Sequence, residues 1–342
     1  MSASIPTYTF SDRADLIAYV PYLLGFHPTD SVVVIGLRGR RISVGARADV
    51  AAPAAQTLRD FARLLTRAGR RGAPVTTAML VGYGPDPAAA ERTRELMQGL
   101  DQRGYHVAEA LHRDGDRYHC LRCADCTPPE GELFDSSATA AAAAATYEGM
   151  TVLPDREAVL RLVEPIGNLA ALAMTQAVDR AELRLLTLLS GADDEQEALR
   201  SAGTAAIDRA MDRAAAGGRL DDDDAAWLSL VLHDLPCRDH AWSRTDDADW
   251  QLDFWLDLTR RGEPGLVAPI ATLLGWCAWR GGNGVLAGAA LERALRADPD
   301  YSLAHLLSGA LAQGLPPHTI SPWPADPNAP IHRHRARART RR

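Results

Sequence analysis

The stretch DSVVVIGL, residues 30–37, decides the fold of the first half of the chain. It is a continuous run of β-branched and other apolar residues, which is typical of a strand that is buried on both faces of a sheet. An RGRR turn then leads into RISVGARADV, residues 41–50, whose pattern predicts an antiparallel partner strand. The sequence therefore predicts a sheet that starts with a hairpin at this point.

On both sides of the hairpin, helix and strand signals alternate. A helix is predicted before it, over residues 12–20. Further elements are predicted at 54–69 (helix), 75–84 (strand), 87–104 (helix), 105–113 (strand) and 116–121 (strand). Because strands joined through helices tend to run in the same direction, we predict an α/β domain over 1–150 with a mixed, mostly parallel sheet and flanking helices.

After Pro128-Pro129 the strand signals disappear and helical patterns remain. We predict an all-α, tetratricopeptide-like domain over 151–315, followed by a disordered Arg-rich tail over 316–342. The predicted helices are 155–163, 167–189, 195–216, 223–234, 248–261, 267–280 and 284–297, with another beginning at 301.

The region 268–314 resembles a tetratricopeptide repeat. Within 271–299, small residues such as Gly275 and Ala287 recur where the two helices of that repeat approach closely. The pattern is clear once, whereas a stable array needs about three units, so the preceding helices are expected to be degenerate repeats or a bundle. Tryptophans in this half are expected to be core or, alternatively, to line a groove for a partner segment: Trp227, Trp242, Trp250, Trp255, Trp276 and Trp279.

Charge and composition narrow the function classes. The net charge is −7, and the last eleven residues hold six Arg and no acid, so subtracting them leaves −13 for residues 1–331. An acidic body disfavours nucleic acid binding, except through the Arg-rich tail, which could bind phosphates by charge alone. The sequence shows neither a secretory signal pattern nor an apolar run of about 18 residues, so we expect a cytoplasmic protein without a membrane span.

The stretch HCLRCADC, residues 119–126, is the most chemically specific in the sequence. Cys120, Cys123 and Cys126 stand three apart, and a Cys-x2-Cys turn lets two thiolates reach one metal. A structural zinc site needs four ligands, so His119, or alternatively His112, His106 or a second chain, would complete it. The competing interpretations are redox chemistry and simple packing of small apolar side chains.

Two glycine-containing loops are candidate ligand sites. GFHPTD offers Gly25, His27 and Asp30 immediately before the first strand, and GYGPDP offers Gly82 and Gly84 between a strand and a helix. Each also reads as an ordinary connector, and prolines remove backbone donors from the second. A pocket is expected only if the loops 25–31, 82–86 and 119–131 converge.

Several stretches resemble the actinobacterial family of unknown function DUF4192. They are PYLLGFHPTDSVVVIGL (21–37), the cysteine-rich turn ending in PPEG (128–131), CRDHAW (237–242) and ERALRADPDYSLAHLL (292–307). The resemblance implies no activity. Because no catalytic constellation is complete, the sequence favours a non-enzymatic interaction or regulatory protein whose helical half holds a protein or peptide. The alternative is a metal-dependent or small-molecule-binding enzyme with its pocket at the three loops.

Overall fold

A computed structural model describes residues 12–69, 74–85, 87–167 and 169–320. Its first half contains a six-stranded sheet. The strands are β1 (Ser31–Arg38), β2 (Arg41–Asp49), β3 (Thr77–Tyr83), β4 (His106–Asp114), β5 (Arg117–Cys120) and β6 (Glu132–Leu133). The helices of this half are α1 (Arg13–Leu24), α2 (Ala54–Ala68), α3 (Ala88–Asp101) and α4 (Ala140–Tyr147).

The remainder is helical. Its helices are α5 (Arg156–Leu162), α6 (Leu169–Ser190), α7 (Glu195–Ala215), α8 (Asp222–Val231), α9 (Leu235–Arg244), α10 (Asp249–Arg261), α11 (Val267–Arg280), α12 (Gly284–Ala297) and α13 (Ser302–Ala312). The predicted fold class, a mixed α/β sheet followed by helices, is confirmed. The sequence patterns missed β6, α4 and α9. The last of these is a separate helix because Asp234 caps a new start and Pro236 occupies its first turn.

The sheet has the order β2-β1-β3-β4-β5-β6. Among its described pairings only β3–β4 is parallel, so the expectation of a mostly parallel sheet is wrong. Helices α2 and α3 do connect strands that run in the same direction, as the alternation predicted. However, β1 lies between β2 and β3 and is antiparallel to both, so the expected parallel β2–β3 pairing is replaced by an antiparallel β1–β3 pairing.

The strand β1 is buried on both faces, as predicted. Val32 and Val34 face a core formed with α2 and α3, whereas Val33 and Ile35 face α1 and the helical half. The core on the face of Val33 and Ile35 is continuous from α1 through the sheet to α13. The division of the chain at residue 150 stays a prediction.

Helix α1 continues through Pro21 and ends at Gly25, whose φ of +79° suits a glycine. The backbone N–H of Gly25 donates to the carbonyl of Pro21 at 2.7 Å and closes the last turn. Because this end is fixed, the following loop enters β1 directly. The α1 end, the loop and β1 together form the stretch 21–37.

In the helical half, α11 and α12 pack closely. A Cβ on Gly275 would lie 2.9 Å from Leu291 Cγ and 3.3 Å from the Ala287 carbonyl oxygen, so a larger residue would require Leu291 to shift at this crossing. Five tryptophans are buried, and Trp250 is half-buried, so the core interpretation is confirmed for those five: Trp227, Trp242, Trp255, Trp276 and Trp279.

The predicted tail is described only as far as residue 320, where Pro317–Thr319 form a 3-10 turn. The Arg-rich end, residues 332–342, lies outside the described residues. None of the described helices has the length and apolar character that a membrane crossing requires.

Candidate metal centre and adjoining cleft

The three clustered cysteines meet at the end of β5. Cys120 is the last residue of that strand and is buried, Cys126 is half-buried, and Cys123 is exposed. Their sulfur atoms all lie within 4.8 Å of one another. The backbone N–H of Cys120 donates to Thr127 Oγ1 at 3.1 Å, which closes the loop behind the sulfurs. In the described part of the chain, no other group of three or more His, Cys, Asp or Glu side chains converges in this way.

This cluster supports two chemistries. The Sγ atoms of Cys123 and Cys126 are in bonding contact, with Cα atoms 5.9 Å apart, and Cys123 Sγ lies 3.8 Å from Cys120 Sγ. Thiolates converging on one point are ligands for zinc and other soft metals. The Cys123–Cys126 pair alone could instead cycle between dithiol and disulfide, since Cys-x2-Cys spacing suits both.

An arginine from α1 lies against the cluster. Arg13 Nη2 is 3.7 Å from Cys126 Sγ, and its Nε donates to Glu109 Oε2 at 3.1 Å. Burial alone would lower the pKa of Arg13, but the negative charge of Glu109 and of the Cys120 side chain outweighs it and raises that pKa. No sequence pattern singles out Arg13 or Glu109, because both lie far from the cysteines along the chain.

His119 does not join the sulfurs. Successive side chains of a strand point to opposite faces, so His119 and Cys120 face away from each other on β5. The His119 ring lies 6.2 Å from the His112 ring and its Nε2 is 3.3 Å from the Pro129 carbonyl oxygen. The prediction that His119 is a fourth ligand is therefore not supported by its position. His106 lies at the other end of β4.

The two predicted glycine loops touch each other. Gly84 has a φ of +129°, and a Cβ there would lie 2.8 Å from Asp30 Oδ1 and 3.2 Å from Asp30 Cα. Asp30 itself has a φ of +42°, the only positive value for a non-glycine residue in the described part of the chain. Gly84 and Asp30 therefore bring two of the three loops into contact, which is one part of what the pocket hypothesis requires.

The remaining candidate residues of these loops have different positions. The His27 side chain is largely accessible to solvent; the partial burial of its ring, and then the positive charge of Arg113, lower its pKa. Gly82 lies within β3 instead of in the loop, and a Cβ there would collide with Thr93 Oγ1 of α3. Its small size therefore serves close packing of α3 on the sheet, and this part of the ligand-loop prediction is corrected.

A cleft of about 500 Å³ lies between α3 and the loop that carries the clustered cysteines, residues 119–131, called the cysteine loop below. Its lining includes Arg94 of α3, Arg122 of the cysteine loop, and the paired residues His112 and His119. His112 Nε2 is 2.8 Å from the Gly84 carbonyl oxygen, so this buried ring joins loop 82–86 to the cleft. Sequence reasoning missed both arginines, because Arg94 lies in no motif and only the cysteines and His119 of the stretch HCLRCADC, which contains Arg122, pointed to chemistry.

Comparison with known families agrees with the sequence resemblance. A family profile matches residues 14–318, which is most of the chain. The chain belongs to the family described as a domain of unknown function, DUF4192. The family match covers the sheet, the cysteine loop and the helices together. No curated protein and no solved structure matches the chain significantly.

Proposed function

We propose that this DUF4192 protein is a metal-containing, small-molecule-binding protein, in which Cys120, Cys123 and Cys126 hold a zinc-class ion beside the cleft. The observation that carries the proposal is the convergence of three sulfurs within 4.8 Å. Three protein ligands leave one tetrahedral position for water, a ligand or a second chain, as zinc sites with an open position do. The ion would tie the end of β5 to the loop that forms one wall of the cleft.

The contact of loops 25–31 and 82–86 supports the same proposal. Gly84 meets Asp30 on one side, and its carbonyl oxygen accepts from His112 of the cleft on the other. Reduced thiolates persist in the cytoplasm, so we also propose a cytoplasmic location.

Elemental analysis of untagged, reduced protein tests the metal site. We expect about one zinc per chain, lost in Cys123→Ser and kept in Cys277→Ala, because Cys277 is a buried cysteine of α11 outside the cluster. Circular dichroism would confirm that both variants are folded. Absence of metal in the wild type, together with a Cys123–Cys126 disulfide in mass spectrometry, would replace the metal site by a redox pair.

One observation favours a second candidate, a protein-interaction role for the helical half with its tetratricopeptide-like helices. Leu169, Leu172, Leu183 and Leu186 of α6 are all more than half exposed, and their spacing of 3, 11 and 3 residues places them on one side of the helix. Sedimentation of the wild type and of a Leu183→Gln, Leu186→Gln double variant tests this role. A concentration-dependent assembly that the variant abolishes would support it, and identical monomers would contradict self-association.

A further inference from the structure

The cleft beside the cysteine loop has a charge pattern of its own. We propose that it binds a small phosphate-bearing molecule, gripped by Arg94 and Arg122 over the rings of His112 and His119. The proposal goes beyond the metal site. It depends on that site only in that a metal would fix Arg122, which stands between Cys120 and Cys123.

The arginines of the cleft lack partners. Arg94 and Arg122 are exposed and make no hydrogen bond or ion pair with any described residue. By contrast, the neighbouring Arg92 forms an ion pair with Glu95 at 3.3 Å and also donates to the Ala52 carbonyl oxygen. No acidic side chain lines the cleft among the residues that the structure describes. In a chain whose residues 1–331 carry −13, two uncompensated guanidinium groups in one concavity form a local positive site.

The two histidines provide a polar floor. A carbonyl oxygen can only accept, so Nε2 of His112 donates to Gly84 and Nε2 of His119 donates to Pro129. Each ring is thus fixed in place and keeps Nδ1 as its second nitrogen.

Phosphate is the chemistry that fits this set best. A guanidinium matches phosphate oxygens with two parallel hydrogen bonds, and two arginines can engage one phosphate group from two sides. A volume of about 500 Å³ is in the range of sites for small molecules. The acidic body of the protein would repel a polyanion such as nucleic acid. The ligand is therefore a phosphorylated small molecule or free phosphate.

Isothermal titration of the full chain at low salt tests the site, with inorganic phosphate, ADP and citrate as separate probes. We expect saturable binding of a phosphate compound, weakened roughly tenfold or more by Arg94→Gln and by Arg122→Gln. Arg40→Gln is the matched control, because Arg40 is an exposed arginine in the β1–β2 turn. The Arg40→Gln variant should bind the phosphate compounds with the affinity of the wild type. ADP binding tighter than phosphate would identify a phosphorylated metabolite, and the reverse would identify free phosphate.

Three results would overturn the inference: no saturable binding of phosphate or ADP, equal weakening in Arg40→Gln, or a preference for citrate over both phosphate probes. Both cleft arginines are exposed, so their variants should fold, and circular dichroism checks this. Zinc content measured on the same samples separates the two proposals. Phosphate binding without metal supports the cleft alone, whereas metal without phosphate binding supports the cysteine site alone.

Discussion

The close crossing of α11 and α12 yields a quantitative prediction. Replacing Gly275 by Ala places a Cβ 2.9 Å from Leu291 Cγ, 3.0 Å from its Cδ2 and 3.3 Å from the Ala287 carbonyl oxygen. Overpacking of this kind costs about 1–3 kcal/mol. The same exchange gains about 1 kcal/mol from helix propensity. We therefore expect Gly275→Ala to lower the free energy of unfolding by about 0–2 kcal/mol.

A second glycine of the same helical pair supplies the control. Gly288 lies inside α12, and a Cβ there would meet no atom within 4 Å. Gly288→Ala should therefore keep only the propensity gain of about 1 kcal/mol. The two exchanges are chemically identical, so the difference between their effects isolates the overpacking and should be about 1–3 kcal/mol.

Urea denaturation followed by tryptophan fluorescence measures both effects, because Trp276 and Trp279 lie in α11 and are buried. The order of midpoints should be Gly288→Ala above wild type, and wild type at or above Gly275→Ala. If Gly275→Ala stabilises the protein as much as Gly288→Ala does, the two helices are not packed at the distance described, and the reasoning is refuted.

Three further predictions concern titration and the loops. Burial raises the pKa of the Cys277 thiol from 9.0 to about 12, so the folded protein holds the thiol proton more tightly than the unfolded chain does. The urea midpoint should therefore fall as the pH rises from about 9 towards 12. It should fall less in Cys277→Ala, which has no thiol to titrate. Partial burial of the ring, and then the charge of Arg113, lower the pKa of His27. The folded protein therefore favours the neutral ring, and its free energy of unfolding should be full above pH about 6.5 and decrease as the pH falls below that value. NMR titration of Arg113→Gln should show a higher His27 pKa. Gly84→Ala should lose about 1–3 kcal/mol in the same denaturation assay, because the new Cβ meets Asp30 at a positive φ; an unchanged midpoint would contradict the loop contact.

The sequence by itself determined the local elements. The β-branched run at 30–37 predicted the buried strand, and the turn after it predicted the antiparallel pairing of β1 with β2. The Cys-x2-Cys spacing likewise predicted that neighbouring sulfurs can meet, because a tight turn brings residues three apart close together. These features depend on periodicity and on short connections, which any window of the sequence contains.

Only the tertiary structure decided the order of the strands and the composition of the site. β3 could pair with β2 or with β1, and the strand patterns in the sequence are the same for either arrangement. The packing of α2 on the sheet decides that β3 pairs with β1. Arg13 reaches Cys126 across 113 residues. His119 lies outside the group of three cysteine sulfurs because successive side chains of β5 point to opposite faces of the sheet. Contacts of this kind arise from the packing of whole elements, so no local pattern encodes them.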